Sequence, residues 1–186
     1  PAAATVEGLI YVIGGYRTLA FNPTSNVYRY DPALDQWISV ASLPRPTGAL
    51  AAAVIDGKIY AVGGSPTLRD LLSYDPLTDR WTQLASMPSP REHLTAAAFE
   101  GRLYVAAGRV GGSNSSAFES YDPDTSIWTQ LARVPTARSG LAAAILNGRM
   151  YVIGGEGNPN TPTGVFQENE SYGFTTGTWR TETPMP

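Results

Sequence analysis

The stretch that decides the fold is IYVIGG, at residues 10–15, because the chain contains it four times in nearly the same form. The copies are IYAVGG at 59–64, LYVAAG at 103–108 and MYVIGG at 150–155. A glycine always stands two residues before each copy. Recurrence of this kind is typical of repeat proteins, in which one supersecondary unit is written several times. The sequence therefore predicts an array of one small unit.

Aromatic landmarks follow every copy at constant offsets. A second tyrosine is followed seven residues later by a tryptophan, and the tryptophan is followed seven residues later by a proline. All four tryptophans belong to this pattern: Trp37, Trp81, Trp128 and Trp179. Only the segment between the closing glycine and the second tyrosine varies, with lengths of 14, 9, 12 and 16 residues. We predict a single domain over 1–186, with repeats at approximately 1–44, 45–88, 89–135 and 136–186.

Each repeat is predicted to form four short strands, A to D. Strand A is a small apolar run such as ALAAAVI at 49–55, and strand B is the recurrent stretch. Pairs such as Asp56-Gly57 between them favour a two-residue hairpin turn, which needs positive φ at both positions. Asp-Pro pairs such as Asp31-Pro32 predict the turn between strands C and D. We expect the tryptophan and tyrosine rings to fill the seams between neighbouring sheets.

The landmarks together resemble kelch repeats: a glycine pair closing an apolar strand, then Tyr-Asp-Pro, a tryptophan, and a closing Met-Pro or Leu-Pro. Two positions depart from the pattern, Ala107 in repeat three and Tyr172-Gly173-Phe174 in repeat four. The resemblance implies an all-β fold, a β-propeller built of four kelch-type, four-stranded antiparallel blades. Three arrangements stay open: a closed four-blade ring, part of a longer propeller, or a partial ring completed by a second copy of the chain.

Composition excludes several classes of function. The net charge is −3 and the basic residues are scattered, so the chain offers no stripe for nucleic acid or for an anionic membrane. Cysteine is absent and His93 is the single histidine, so we expect neither a metal site nor a cofactor. The chain contains no signal peptide and no long apolar span, and its compartment stays open.

The candidate binding surface is the face of the propeller that carries the B–C and D–A loops, because loops held by a rigid scaffold often bind ligands. Kelch relatives that bind peptides use these loops, as the resemblance implies. Five arginines are expected on this rim, and they suit bidentate recognition of carboxylates. For Arg91 and Arg138 the alternative is that they brace the loops through backbone carbonyls, and His93 is expected to be a structural loop residue. The candidate ligand-binding residues are Tyr16, Arg17, Arg45, Arg69, Arg91, His93, Arg109, Arg138 and Glu156.

Two functions from different classes agree with these features. The first is a non-enzymatic interaction scaffold that binds a protein or an acidic peptide on the loop face, since no catalytic residues are predicted. The second is a carbohydrate-binding or sugar-isomerising propeller resembling a mutarotase, with Glu92 or Glu156 acting beside Arg91 or Arg138. A repeat array, or a fragment, with no ligand of its own is the third alternative. Architecture by itself does not choose among them.

Overall fold

The computed structural model describes residues 1–18 and 20–186, and it is all-β. The chain divides into two compact units, Pro1–Pro90 and Arg91–Pro186. Each unit contains two four-stranded antiparallel sheets, one per repeat, and the described residues form no helix, hence none that could cross a membrane. We call each sheet a blade and number the blades in chain order. The predicted fold class is confirmed.

The first unit holds blades 1 and 2, whose strands follow one another in sequence order across each sheet. Blade 1 consists of β1 (Ala2–Val6), β2 (Leu9–Ile13), β3 (Val27–Asp31) and β4 (Gln36–Val40). Blade 2 consists of β5 (Ala51–Ile55), β6 (Lys58–Val62), β7 (Leu71–Asp75) and β8 (Arg80–Gln83). These are the predicted strands A to D.

The second unit holds blades 3 and 4 and one additional hairpin. Blade 3 consists of β9 (Thr95–Phe99), β10 (Arg102–Ala106), β13 (Phe118–Asp122) and β14 (Ile127–Gln130). Blade 4 consists of β15 (Ala142–Leu146), β16 (Arg149–Ile153), β17 (Asn169–Gly173) and β18 (Thr178–Thr181). The hairpin β11 (Arg109–Val110) and β12 (Ser113–Asn114) lies in the B–C loop of blade 3. The sequence analysis missed it, although Gly111-Gly112 is a hairpin-turn signal.

The A–B turns have the geometry that their sequences predict. In blade 2, Asp56 has a φ of 49° and Gly57 a φ of 74°, and the strands pair directly from Ile55 to Lys58. Both central residues are therefore in the left-handed region, as a two-residue turn of this kind requires. The other three A–B turns repeat these positive φ values.

The C–D turns depend on an aspartate in three blades, and on backbone and threonine hydrogen bonds in the fourth. In blade 2, Asp75 Oδ1 accepts a hydrogen bond of 2.9 Å from the amide of Leu77. In blade 4 the sequence departs from Asp-Pro, and the amide of Gly177 donates to the carbonyl of Gly173 at 2.8 Å instead. Phe174, which replaces the proline, stacks on Phe99 at a centroid distance of 4.0 Å.

The core of each unit lies between the facing surfaces of its two blades. We call the surface through which the second blade of a unit contacts the first the front face, use the same name for the equivalent surface of the other blades, and call the opposite surface the back face. In the first unit, the back face of blade 1 (Ala4, Tyr11 and Ile13) packs with the front face of blade 2 (Ile59 and Tyr74). The second unit repeats this arrangement with blades 3 and 4.

Two tryptophans occupy these seams as predicted, and one does not. The indole of Trp81 donates to the carbonyl of Ala41 in the preceding blade at 2.8 Å, and Trp179 donates to Ala132 at 2.7 Å. Trp37 is 56% exposed, so the prediction that every tryptophan is buried in a seam is wrong for this residue. The physical reason is that the indole lies on the front face of its blade, and blade 1 has no preceding blade in its unit.

Candidate functional site

The loop face is organised by short bridges between two kinds of loop. Gly48 pairs with Ser65 in blade 2, and Glu92 pairs with Arg109 in blade 3. Ser139 pairs with Glu156 in blade 4. In each bridge, the residue directly after the glycine pair of strand B meets the D–A loop that leads into the same blade. The B–C and D–A loops are thus joined, and the position after the glycine pair projects from a fixed backbone.

Glycine is required at the end of strand B because the D–A loop approaches too closely for a side chain. A Cβ on Gly108, whose φ is 101°, would lie 2.8 Å from the carbonyl oxygen of Glu92. A Cβ on Gly155 would lie 2.8 Å from the carbonyl oxygen of Ser139. Real Cβ atoms do not approach backbone so closely, so this glycine maintains the contact between the loops.

The D–A loops also share a residue in the left-handed region, five positions after the strand D proline. It is Ala49 with a φ of 52° in blade 2, His93 with 49° in blade 3, and Gly140 with 61° in blade 4. Such a φ is unfavourable for a non-glycine residue, and it persists only where the surrounding structure holds it. The imidazole of His93 is therefore placed by a strained backbone, and the amide of Gly140 donates to the His93 carbonyl at 2.8 Å.

Four side chains converge on the loop face of the second unit, and we call them the rim cluster: Glu92, His93, Arg109 and Glu156. Arg109 lies at the centre. Its Nη1 is 2.8 Å from Glu156 Oε1 and its Nε is 3.4 Å from Glu92 Oε1. Its Nη2 lies 3.2 Å from Nε2 of His93. With a neutral imidazole, two carboxylates and one guanidinium give the rim cluster one net negative charge.

Burial and the neighbouring guanidinium keep His93 neutral. Desolvation is the larger cause, and the positive charge of Arg109 adds to it, so the pKa of His93 lies below its ordinary value. The carboxylates of Glu92 and Glu156 act in the opposite direction without reversing the shift. Because the imidazole is uncharged, its Nε2 is able to accept the hydrogen bond from Arg109.

Arg91 and Arg138 are not on the rim, because their guanidinium groups lie in the interior at 1% and 0% exposure. Arg138 donates to the carbonyls of Gly154, Thr136 and Val152 and contacts Glu170 at 2.5 Å.

Arg91 is held in the same way in blade 3. It donates to the carbonyl of Ala117 at 2.6 Å and forms an ion pair of 2.6 Å with Glu119. Burial lowers the pKa of Arg91 to about 10, and Glu119 opposes that shift. The expectation of five arginines on one rim is therefore corrected for these two, which brace the loops as the alternative interpretation describes.

The first unit carries the other candidate residues. Arg17 and Arg45 are exposed, and Arg17 donates to the side chain of Asn26 at 3.1 Å. Arg69 is exposed and donates to the backbone carbonyls of Met87 and Pro88. Tyr16 is half-buried and packs edge-on against Phe21 at 5.4 Å. The loop face of this unit is therefore basic and aromatic, in contrast to the rim cluster.

Two important residues were missed by the sequence analysis, Glu119 and Glu170. Each stands two residues before the second tyrosine of its repeat, and these are the two repeats that carry the buried arginine. Repeat two has Thr47 and Leu72 at the corresponding positions. The arginine and the glutamate are thus both present in repeats three and four and both replaced in repeat two. This joint difference between repeats was the signal that the two residues contact each other.

Comparison with known proteins agrees with this architecture. The family model of the KLHDC2/KLHL20/DRC7 Kelch-repeats domain matches residues 1–185. Kelch-like ECH-associated protein 1A of Danio rerio is 40% identical over 65 residues, which is 34% of this chain and 11% of that protein. Human Kelch-like protein 23 is 37% identical over 62 residues, which is 33% of this chain and 11% of that protein.

Among solved structures, that of YjhT resembles nearly the whole chain. It matches with a TM-score of 0.78 and 20% sequence identity. The match covers 98% of this chain and 64% of YjhT, so the chain spans less than two thirds of that protein and about a tenth of the curated relatives. At this level of identity the likeness concerns the fold alone. By its family model and its four blades, the chain belongs to the kelch-repeat family.

Proposed function

We propose that this chain is a non-enzymatic interaction scaffold that binds a segment of another protein on its loop face, with the rim cluster as an anchor. The observation that carries the proposal is the convergence of Glu92, His93, Arg109 and Glu156 from both loop sets of two adjacent blades. Binding groups held by rigid elements are the usual arrangement in propellers and other scaffolds.

The rim cluster is preorganised, and its contacts are easily exchanged. The side chains of Arg109 and Glu156 are 28% and 50% exposed, and an ion pair this exposed contributes only about 0–1 kcal/mol to stability. A carboxylate of a bound segment can therefore replace Glu156 on the guanidinium of Arg109 at little cost. Arginine favours that exchange because its planar fork matches a carboxylate.

Considered by itself, the first unit also suits an acidic segment. Arg17, Arg45 and Arg69 are all exposed on its loops, and Tyr16 with Phe21 adds aromatic surface. Aromatic and arginine side chains are enriched at protein interfaces, and basic groups steer acidic partners toward a surface. Among the relatives, Kelch-like ECH-associated protein 1A is named for an association with another protein.

The proposal is tested with a fluorescent peptide rich in Asp and Glu and a matched peptide with Asn and Gln in their place. Anisotropy should show binding of the acidic peptide, and Arg109→Ala should weaken it roughly tenfold to a hundredfold, since a charge-assisted hydrogen bond contributes about 1.5–3 kcal/mol. Arg102→Ala is the matched control, because Arg102 forms a comparable surface pair with Asp122 at 2.7 Å on the opposite, turn-bearing face. Equal binding of both peptides, or equal loss in both variants, contradicts the proposal.

The sugar-isomerising alternative has less support than the scaffold. It places Glu92 or Glu156 beside Arg91 or Arg138, whereas both of those arginines are buried against Glu119 and Glu170. On the loop face, Glu92 and Glu156 pair with Arg109 instead. Titration with neutral and acidic sugars provides the comparison: a sugar that binds the rim cluster while acidic peptides do not would favour this alternative.

A further inference from the structure

The rim cluster contains one more negative charge than positive. The carboxylates of Glu92 and Glu156 share the guanidinium of Arg109, at 3.4 Å and 2.8 Å. His93 adds no charge, because burial and the neighbouring guanidinium keep its imidazole neutral. A ligand carboxylate that binds Arg109 therefore enters a site that already contains two carboxylates.

Glu156 is held in the rim cluster by its backbone and by its side-chain packing. Its amide donates to the carbonyl of Ser139 at 2.7 Å, and on the other side it pairs with Val165. Its side chain lies against Gly140, where an added Cβ would be 2.8 Å from the Cγ of Glu156. When a ligand displaces Glu156 from Arg109, the carboxylate thus rotates away but stays in the rim cluster. Like charges this close repel each other, since screening at physiological ionic strength extends over about 8 Å.

The other basic residues of the second unit are engaged elsewhere. The unit contains no lysine, and the structure describes all of residues 91–186. Each remaining arginine has its own hydrogen-bond or ion-pair partner outside the rim cluster: Arg91, Arg102, Arg133, Arg138, Arg149 and Arg180. Within this unit, therefore, the positive charge that compensates a displaced Glu156 has to come from the ligand.

We propose that the rim cluster recognises a segment with one acidic and one basic side chain on the same side, the acidic one bound to Arg109 and the basic one to Glu156. The inference rests on the proposed function, because it specifies the ligand of the same site. In an extended segment, side chains two residues apart point in the same direction and are separated by roughly 6–7 Å. The long side chain of a lysine spans that separation, so the simplest pattern is Glu-x-Lys.

The number of ion pairs explains why both charges are needed. In the free protein, Glu156 and Arg109 form one exposed pair. A segment with both charges replaces it by two pairs and leaves no carboxylate of the exchange unpaired. A purely acidic segment keeps the number at one and leaves Glu156 beside a second carboxylate. A purely basic segment competes with Arg109 for Glu156 and likewise gains no pair.

The test uses four fluorescent peptides that differ at two positions only: Glu-x-Lys, Glu-x-Gln, Gln-x-Lys and Gln-x-Gln. Anisotropy should show the tightest binding for Glu-x-Lys. Replacement of its lysine by glutamine should weaken binding roughly twofold to tenfold, since an exposed pair is gained and a repulsion is relieved. The same replacement should have a smaller effect beside glutamine, because only the ligand carboxylate releases Glu156.

Glu156→Gln tests the assignment of the basic side chain. The variant removes the displaced carboxylate, so the advantage of lysine should disappear. The Glu-x-Gln peptide should bind this variant more tightly than the unchanged protein, because Arg109 has lost a competing partner. A purely structural role of Glu156 would instead weaken all four peptides alike. Glu100→Gln is the matched control, because Glu100 is exposed on an A–B turn at the opposite face, and it should keep the preference for Glu-x-Lys.

The outcomes separate this inference from the proposed function. Equal binding of Glu-x-Lys and Glu-x-Gln overturns the inference and leaves the scaffold proposal standing. An advantage of lysine that persists in Glu156→Gln has the same consequence. If none of the four peptides binds, or if Gln-x-Lys binds the unchanged protein more tightly than Glu-x-Gln does, both the inference and an acidic ligand on Arg109 are refuted.

Discussion

The buried ion pair of blade 4 allows a quantitative test of the loop architecture. Arg138 and Glu170 are 0% and 3% exposed and are joined at 2.5 Å. Substitution Glu170→Leu leaves the guanidinium charged in the interior without its counter-ion. Breaking a buried pair in this way costs about 3–5 kcal/mol, because the remaining charge has lost both water and its partner. Arg138→Thr, which strands the carboxylate of Glu170, should cost a similar amount.

The double variant Arg138→Thr/Glu170→Leu reproduces the residues that blade 2 uses at the same positions, Thr47 and Leu72. In blade 2 the hydroxyl of Thr47 donates to the carbonyl of Arg45 at 3.1 Å, which is the equivalent of the bond from Arg138 to Thr136. The double variant removes both charges together. It should therefore cost less than the sum of the single variants, by about 2 kcal/mol or more.

Urea unfolding monitored by tryptophan fluorescence gives these free energies, provided that the slope of the transition stays constant. Arg102→Ala is the control for an exposed pair and should cost under about 1 kcal/mol, since Arg102 is 47% exposed. The homologous pair of Arg91 and Glu119 in blade 3 allows an independent repetition of the cycle. A cost below about 1 kcal/mol for Glu170→Leu, or a double variant equal to the sum of the singles, refutes the reasoning.

Three further predictions concern the stability of single variants. Trp81→Ala should cost about 3–5 kcal/mol because it empties a seam, whereas Trp37→Ala should cost under about 1 kcal/mol because Trp37 is exposed; equal costs would contradict the assignment of seams. Because the pKa of His93 is lowered in the folded chain, the unfolded chain binds the proton more readily. The neutral imidazole therefore contributes fully to stability above the ordinary pKa of histidine, and this contribution falls as the pH drops below that value. If the stability of His93→Asn has the same pH profile from 8 to 4 as that of the unchanged protein, the imidazole does not titrate in this way. Gly108→Ala should disrupt the loop contact by bringing a Cβ to 2.8 Å from a carbonyl, whereas Gly101→Ala, with nothing within 4 Å, should cost only about 1 kcal/mol for its φ of 73°; heat denaturation of the two variants compares them.

Strands and turns could be predicted from the sequence because they are local. The A–B turn of blade 2 needs two residues at positive φ, and Asp56-Gly57 is a residue pair that readily adopts positive φ at both positions. The C–D turn of the same blade needs an acceptor for an amide two residues on, and Asp75 supplies it. The first signal occurs in all four repeats and the second in three, which made the assignment of strands secure.

The location of the arginines could not be predicted in the same way, because it depends on contacts between strands. The spacing from the preceding proline places Arg138 in a loop, and a loop arginine is usually exposed. Its burial follows from the carbonyls of Val152 and Gly154 at the end of strand B and from Glu170 on strand C, all of which are distant in sequence. A comparison of the repeats by pairs of positions, rather than by single positions, would have linked Arg138 to Glu170 and separated it from Arg109.

The position directly after the glycine pair indicates which side chains of the loop face are available to bind a ligand. It carries Tyr16, Ser65, Arg109 and Glu156 in the four repeats, although three of them form the same bridge to a D–A loop. The backbone there is fixed by a glycine that admits the neighbouring loop, so the side chain contributes little to folding and is free to differ. The buried positions of Arg138 and Glu170 carry Thr47 and Leu72 in repeat two, so both differ together, and a change in one alone would strand a charge. A residue that differs between repeats while its backbone stays the same can therefore change what a kelch chain binds without disturbing the fold. Arg109 and Glu156 are two such residues, and they contact each other.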